Sequence, residues 1–340
     1  MKNFLDYLRR LKAGFNVRQL SLFFLATGFI LSALLYIPFS LILNGDWKLN
    51  QQIDLFFIES LDLFDVSFPI GNVSIRFYSI CILTGLLAGY SLVLYLSKRN
   101  RIASTTIDRM FVGMVIVGLA GARLFYVAVN WEQFVDVPIE IFTEITRGGL
   151  AVFGMIIACG LYLWSYCSRF KFNFFEFADV LIPGVLLGQI IGRFGNFFNY
   201  ESYGGPTSAY WKMYVPQTAN LYTDPTQSYF HPTFLYEIIP NFFLLIVLLY
   251  FYEKLTLRRS GIIFGLYAMG YGLIRFGTEF FRLDALKIPL PEIVELGPFT
   301  FEFLYVSQVS AIILFLIGVV TVFYRSKVIY SKKTMVEIKV

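Results

Sequence analysis

Six arginines in this chain sit where arginine is costly: Arg76, Arg123, Arg147, Arg193, Arg275 and Arg282. Each falls at or near the end of a long apolar run, and the runs alternate so that these ends share one side. An arginine at the centre of a bilayer costs about 2.5–3.5 kcal/mol on insertion scales, and less near the interface. A shared anionic ligand at that depth, such as a phospholipid headgroup, would account for all six. The guanidinium fork matches phosphate oxygens in pairs, which lysine cannot do. The plainer reading is that each arginine snorkels to the surface or pairs with a carboxylate at a helix end.

The neighbours of these arginines are spaced for helices, where residues three or four apart share a face. Gln189, Arg193, Asn196 and Asn199 form one polar stripe, which leads into Glu201 and Gly204. Gly192 and Gly195 remove bulk beside it and would let another helix or a ligand come close. Asparagine amides in hydrocarbon need partners, so interhelical hydrogen bonding is the competing reading of this stripe. A second stripe runs Tyr267, Tyr271, Arg275, Glu279, with Arg282 three residues on. Arg275 and Glu279 could pair along that helix.

The run His231-Pro232-Thr233-Phe234-Leu235-Tyr236-Glu237 reads as a helix start, where proline is suited. A lone histidine at such a surface is more often a capping or hydrogen-bonding group than a catalyst. Tyr78 follows Arg76 by two residues, and Gly148-Gly149 follow Arg147. Paired glycines let backbone N–H groups approach an anion.

Apolar runs long enough to span a bilayer lie near 22–43, 75–96, 107–129, 148–168, 178–198, 234–252, 261–281 and 304–324. The fold class expected is therefore an all-α integral membrane protein, a polytopic bundle of about eight transmembrane helices with small outer-face loops. The hydrophobic fraction is 57% and charged residues make up 15%, against about 25% charged in soluble domains. No cleavable signal peptide is evident, because the first apolar run is too long for one.

Lys and Arg in the short loops set orientation. Basic clusters at Lys2–Arg18, Lys98–Arg109, Arg169–Lys171, Lys254–Arg259 and Arg325–Lys339 all fall on one side of an eight-helix chain. Both termini are then expected in the cytoplasm and the six arginines towards the outer leaflet. The expected organisation is a basic segment with an extra helix in 1–60, a bundle in 61–325, and a basic tail in 326–340. Cys81, Cys159 and Cys167 lie in apolar runs without a CxxC pair, and there is one histidine. No metal site, cofactor or nucleic-acid partner is expected.

The run Gly192-Arg-Phe-Gly-Asn-Phe-Phe-Asn-Tyr-Glu-Ser-Tyr-Gly204 resembles the signature of the prolipoprotein diacylglyceryl transferase family. Supporting matches follow in the family's order: Ile75–Tyr78, Gly121–Val127, Arg147–Gly154, His231–Glu237 and Tyr271–Arg282. They span roughly 65–320. The resemblance implies transfer of the diacylglyceryl group from phosphatidylglycerol to the lipobox cysteine of a preprolipoprotein signal peptide, in a bacterial cytoplasmic (inner) membrane. It makes Arg193 and Arg275 the headgroup and catalytic arginines, and Tyr78, Asn196, Gly204 and Tyr271 further important positions. Arg76, Arg123, Arg147, Asn199, Glu201, His231, Tyr236, Glu237, Glu279 and Arg282 complete the expected substrate-binding set.

Family members commonly have about seven helices, so residues 1–60 would add one. Many carry histidine in the glycine-rich motif where this chain has Phe153. Thiol activation is then left to Glu201, to His231, or to the arginine field with no dedicated base. The rival function is a transporter or flippase for an anionic lipid or organic anion, since intramembrane arginines also line substrate paths. No inverted repeat or matched pair of broken helices favours it.

Overall fold

The computed structural model describes residues 68–70, 73–75, 77–136, 138–139, 141, 149–216, 226–255, 260–283, 287–296 and 299–327. Seven long helices follow in chain order: α1 (Phe77–Arg99), α2 (Ser104–Val129), α3 (Val152–Phe170), α4 (Phe174–Phe198), α5 (Thr233–Leu255), α6 (Ile262–Glu279) and α7 (Val306–Lys327). Each answers to one of the expected apolar runs; the run near 22–43 lies outside the described residues. Six of the seven are long and apolar enough to cross a membrane. The seventh, α6, has 18 residues and carries both Arg275 and Glu279. The chain is a helical, multi-pass membrane protein.

Local chemistry sets the helix ends. Asn173 caps α4, its Oδ1 accepting the Phe175 N–H at 3.0 Å. Lys171 ends α3 in the left-handed region (φ 57°), its N–H turned back to Cys167 O. At the other end of α4, Tyr200 adopts φ 50° and the Glu201 N–H donates to Asn196 O at 2.9 Å. Apolar side chains left on the surface, such as Ile116, Leu161, Leu316 and Phe323, form faces suited to lipid rather than water.

The described residues fall into two compact units, one of 68–95 with 181–327 and one of 96–180. In the first, α1 packs on α4 through glycines. A Cβ on Gly85 would lie 2.9 Å from the Gly188 carbonyl oxygen, and Gly89 and Gly184 meet in the same way. Helices α6 and α7 also touch backbone to backbone, at Gly265, Gly272 and Gly318. Small residues are what allow this closeness between apolar helices. In the second unit, α2 and α3 cross at Gly121 and Gly154.

Among the described residues there are three two-stranded antiparallel ribbons outside the helices: β1 (Phe68–Ile70) with β2 (Val73–Ile75), β3 (Met213–Tyr214) with β4 (Tyr229–Phe230), and β5 (Lys287–Leu296) with β6 (Phe299–Tyr305). The last pairs Lys287 with Tyr305 and Leu296 with Phe299, with an irregularity between Pro289 and Val294. The expectation of helices with small loops did not include these ribbons.

Candidate active site

The first unit brings two arginines and two glutamates together at the end where α4 finishes, α5 begins and α6 finishes. The chain segments beyond those helix ends are stitched together by backbone bonds. Gly204 N–H donates to His231 O at 2.8 Å, His231 N–H to Gly205 O at 3.0 Å, and Gly205 N–H to Phe281 O at 3.0 Å. Gly204 also forms a bridge with Arg282. There is no space for a side chain at Gly204. A Cβ there would collide with the Phe281 carbonyl and lie 2.8 Å from His231 Cβ. The Thr233 hydroxyl donates to the Ser202 carbonyl and ties the α4–α5 connection down again.

Glu237 is the centre of the cluster so positioned. Its side chain is 3% exposed, one oxygen pairing with Arg193 of α4 and the other with Arg275 of α6 at 2.6 Å. Arg275 also pairs with Glu279 at 2.8 Å, the expected contact along one helix, and donates to Ser307 of α7 at 3.1 Å. Arg193 keeps a weaker contact, 3.4 Å, to Asn196 Oδ1. Two guanidinium groups and two carboxylates balance formally. A single buried carboxylate holds two cations from different helices in fixed directions, and either cation lost would leave the rest of the cluster unbalanced. Arg193 is the more open of the two, at 20% against 14%.

Other expected residues fall around this centre. Tyr78 of α1 lies over Gly195, whose added Cβ would come 2.7 Å from the tyrosine ring. Tyr271 stacks on Tyr267, with ring centroids 5.5 Å apart and an angle of 12°. Tyr267 in turn donates to Gln189 Oε1 at 3.1 Å. His231 Nδ1 lies 2.9 Å from the Tyr236 hydroxyl, which also accepts the Trp211 indole N–H at 2.7 Å. Burial lowers the His231 pKa below its usual 6.5, so the ring is neutral at pH 7.

Several expectations need adjusting. Glu201 is exposed and accepts a bond from Asn199 at 3.0 Å; the carboxylate on Arg193 is Glu237 instead. Glu279 pairs with Arg275. Arg123 belongs to the second unit. It is 7% exposed, donates to Ile141 O at 2.9 Å and Gly149 O at 3.2 Å, and lies over the rings of Tyr126 and Phe134. That arrangement holds the α2–α3 connection. Phe153, also in the second unit, is exposed on α3. Arg76 and Arg147 lie outside the described residues. Ser307 and Trp211 were not expected. A serine near the start of a helix and a tryptophan in a loop carry no spacing signal of their own. Among the described residues no group of three or more His, Cys, Asp or Glu side chains is placed to hold a metal.

Relatives match this chain over most of these residues. A protein of Gloeobacter violaceus named phosphatidylglycerol–prolipoprotein diacylglyceryl transferase is 37% identical over 219 residues, covering 64% of this chain and 81% of its own. Proteins of the same name from Synechocystis and Clostridium botulinum are 35% and 39% identical, covering 74% and 66% of this chain and 86% and 87% of theirs. The profile of the Prolipoprotein diacylglyceryl transferase family matches residues 65–324, a span that contains nearly all of the seven helices and the whole Arg193–Glu237–Arg275 cluster, and the chain belongs to that family.

Proposed function

We propose that this protein transfers the diacylglyceryl group of phosphatidylglycerol to the lipobox cysteine in the signal peptide of a preprolipoprotein. The observation that carries the reading is Glu237 holding Arg193 and Arg275 at one end of the first unit. The cysteine sulfur attacks the glycerol carbon that bears the phosphate. A carbon–sulfur bond forms, the carbon–oxygen bond breaks, and its electron pair leaves on glycerol phosphate. The thiol proton goes to solvent or to a nearby acceptor. Charge therefore grows on the phosphate oxygen, and donors already aimed there stabilise it without reorganising.

Arg193, the more open cation, takes the headgroup with Asn196 beside it. Arg275, held from Glu237, Glu279 and Ser307, faces the developing charge. Asn199, Glu201, Gly204, Tyr78, Tyr236, Tyr271, His231 and Arg282 shape or border the same end, and Arg76 and Arg147 are assigned to headgroup binding, while Arg123 keeps the α2–α3 connection in place. The cluster end faces the outer leaflet of the bacterial cytoplasmic membrane, with both termini in the cytoplasm. Residues 61–325 form the catalytic bundle, 1–60 precede it and 326–340 form a basic tail. The thiol needs no dedicated base. Moving its pKa from about 8.5 to 7 takes about 2 kcal/mol, which nearby guanidinium groups supply in a poorly hydrated site.

Incubation of the purified protein with labelled phosphatidylglycerol and a lipobox peptide tests this. Thioether product is expected. Movement of lipid across a vesicle without product would overturn it in favour of transport.

A further inference from the structure

Three members of the cluster, Arg193, Glu237 and Arg275, each have a neutral polar residue four positions along the helix, away from the cluster end. Gln189 precedes Arg193, Asn241 follows Glu237, and Tyr271 precedes Arg275. Helix packing brings the three to neighbouring depth. Arg193 pairs with Glu237 and Phe197 packs on Phe234, with rings 5.2 Å apart. That antiparallel register sets Gln189 opposite Asn241. Glu237 meets Arg275, and Gly270 packs on Leu244, which sets Asn241 near Tyr271. A second polar layer thus lies one helical turn, about 5.4 Å, inward of the ionic one.

This layer is not closed on itself. Asn241 is 0% exposed, and both its amide nitrogen and its amide oxygen are without a hydrogen-bond partner among the described residues. A buried amide in that state is costly and calls for a reason. Interhelical glue would have paired it with Gln189 or a tyrosine. Instead Gln189 Oε1 is committed to Tyr267, which leaves Nε2 as the donor end of that amide. Two neutral amide donors, on α4 and α5, therefore sit one turn below two guanidinium groups.

The spacing matches the proposed substrate class. A diacyl phospholipid whose phosphate meets Arg193 carries its two ester carbonyls a few bonds deeper. Those carbonyls are uncharged acceptors that need donors once water is excluded. We propose that Gln189 and Asn241 bind the ester carbonyls of the diacylglyceryl group; the proposal rests on the transferase reading. Half-buried Gln189 is the first contact, and Asn241, behind it, is the second, reached as the side chains of this layer part around the glyceride. The two layers then divide the products. Glycerol phosphate keeps only the ionic contacts, and the glyceride thioether keeps only the amide contacts.

The test compares dioleoyl phosphatidylglycerol with its dialkyl ether analogue, which has the same headgroup and no carbonyls. The full-length chain and a lipobox peptide are used, with kcat/KM as readout. The wild type is expected to prefer the diester at least tenfold, because a site built to hydrogen-bond a group rejects analogues lacking it. In Gln189→Leu and Asn241→Leu the diester-to-diether ratio should fall towards one. Asn241→Leu removes no bond present here and should melt no lower than wild type. A wild type that uses both lipids equally, or variants that keep the wild-type ratio, would overturn the ester site and leave the transferase reading intact. Absence of thioether from either lipid would overturn the transferase reading and the ester site with it. Should Asn241→Leu fail to fold, the wild-type ratio and Gln189→Leu still decide.

Discussion

Glu237 and Arg275 meet at 2.6 Å across α5 and α6, and the glutamate is almost fully enclosed. A pair this buried matters less for its own attraction than for the penalty of losing one partner, which leaves an uncompensated charge in a low dielectric at about 3–5 kcal/mol. The pair is thus a hinge point for both folding and chemistry.

Arg193→Lys and Arg275→Lys should each lower turnover at least a hundredfold while preserving charge. Lysine cannot bridge the carboxylate and a phosphate in one plane. Glu237→Gln keeps the shape, removes the charge that holds both cations, and should lose activity to a similar degree. Arg282→Lys should be milder, since Arg282 lies beyond the end of α6 and outside the Arg193–Glu237–Arg275 cluster. Initial rates at matched protein levels decide; near-normal turnover in both lysine variants would refute the roles assigned.

Gly204→Ala should destabilise the protein by about 1–3 kcal/mol, the range for forcing atoms into filled space. The added methyl meets the Phe281 carbonyl and His231 Cβ, neither of which can swing aside. A lower melting temperature should accompany lost activity. An alanine variant that melts and turns over as wild type does would mean the three segments are not stitched at this point.

His231 makes a pH-dependent prediction with a definite sign. Its folded-state pKa is lowered by burial, so the unfolded chain binds the proton more readily. The contribution is fully present above about 6.5 and is lost as pH falls towards the folded value. Melting temperature should therefore drop below pH 6.5, and His231→Gln should flatten that part of the curve. The same variant should keep substantial activity if no unique base operates. A thousandfold loss, with the limb near pH 6–7 gone, would make His231 the base.

Orientation can be read by thiol labelling of single cysteines at Ser208 and Lys332. Opposite sides are expected. Labelling from the same side would break the alternation expected from the basic loops.

The helices were legible because apolar runs of membrane length leave little choice. Seven of the eight expected runs are helices among the described residues, and the Gln189–Asn196 and Tyr267–Glu279 stripes each lie on one. What sequence could not show was which carboxylate meets which arginine. Glu201 is eight residues from Arg193, Glu237 is 44 away, and only the antiparallel packing of α4 on α5 favours the second. Asn241 was missed for the same reason: within an apolar helix a lone amide signals nothing until its neighbours are known. The β5–β6 ribbon was also passed over, although Phe299-Thr300-Phe301-Glu302-Phe303 alternates with period two. Its final residues merge into the apolar run of α7.

Of the five helices in the first unit, four are bonded into two plates by glycine: α1 with α4, and α6 with α7. Within each plate the backbones touch at the glycines. Helix α5 has no glycine at all and meets its neighbours through long side chains and ion pairs; it bears Pro240, as α4 bears Pro183, and each proline removes one rung of its own ladder. The glutamate to which both cations answer is thus carried by the one helix of this unit that has no glycine of its own to bring a backbone close, so its place is set by side chains rather than by main chain.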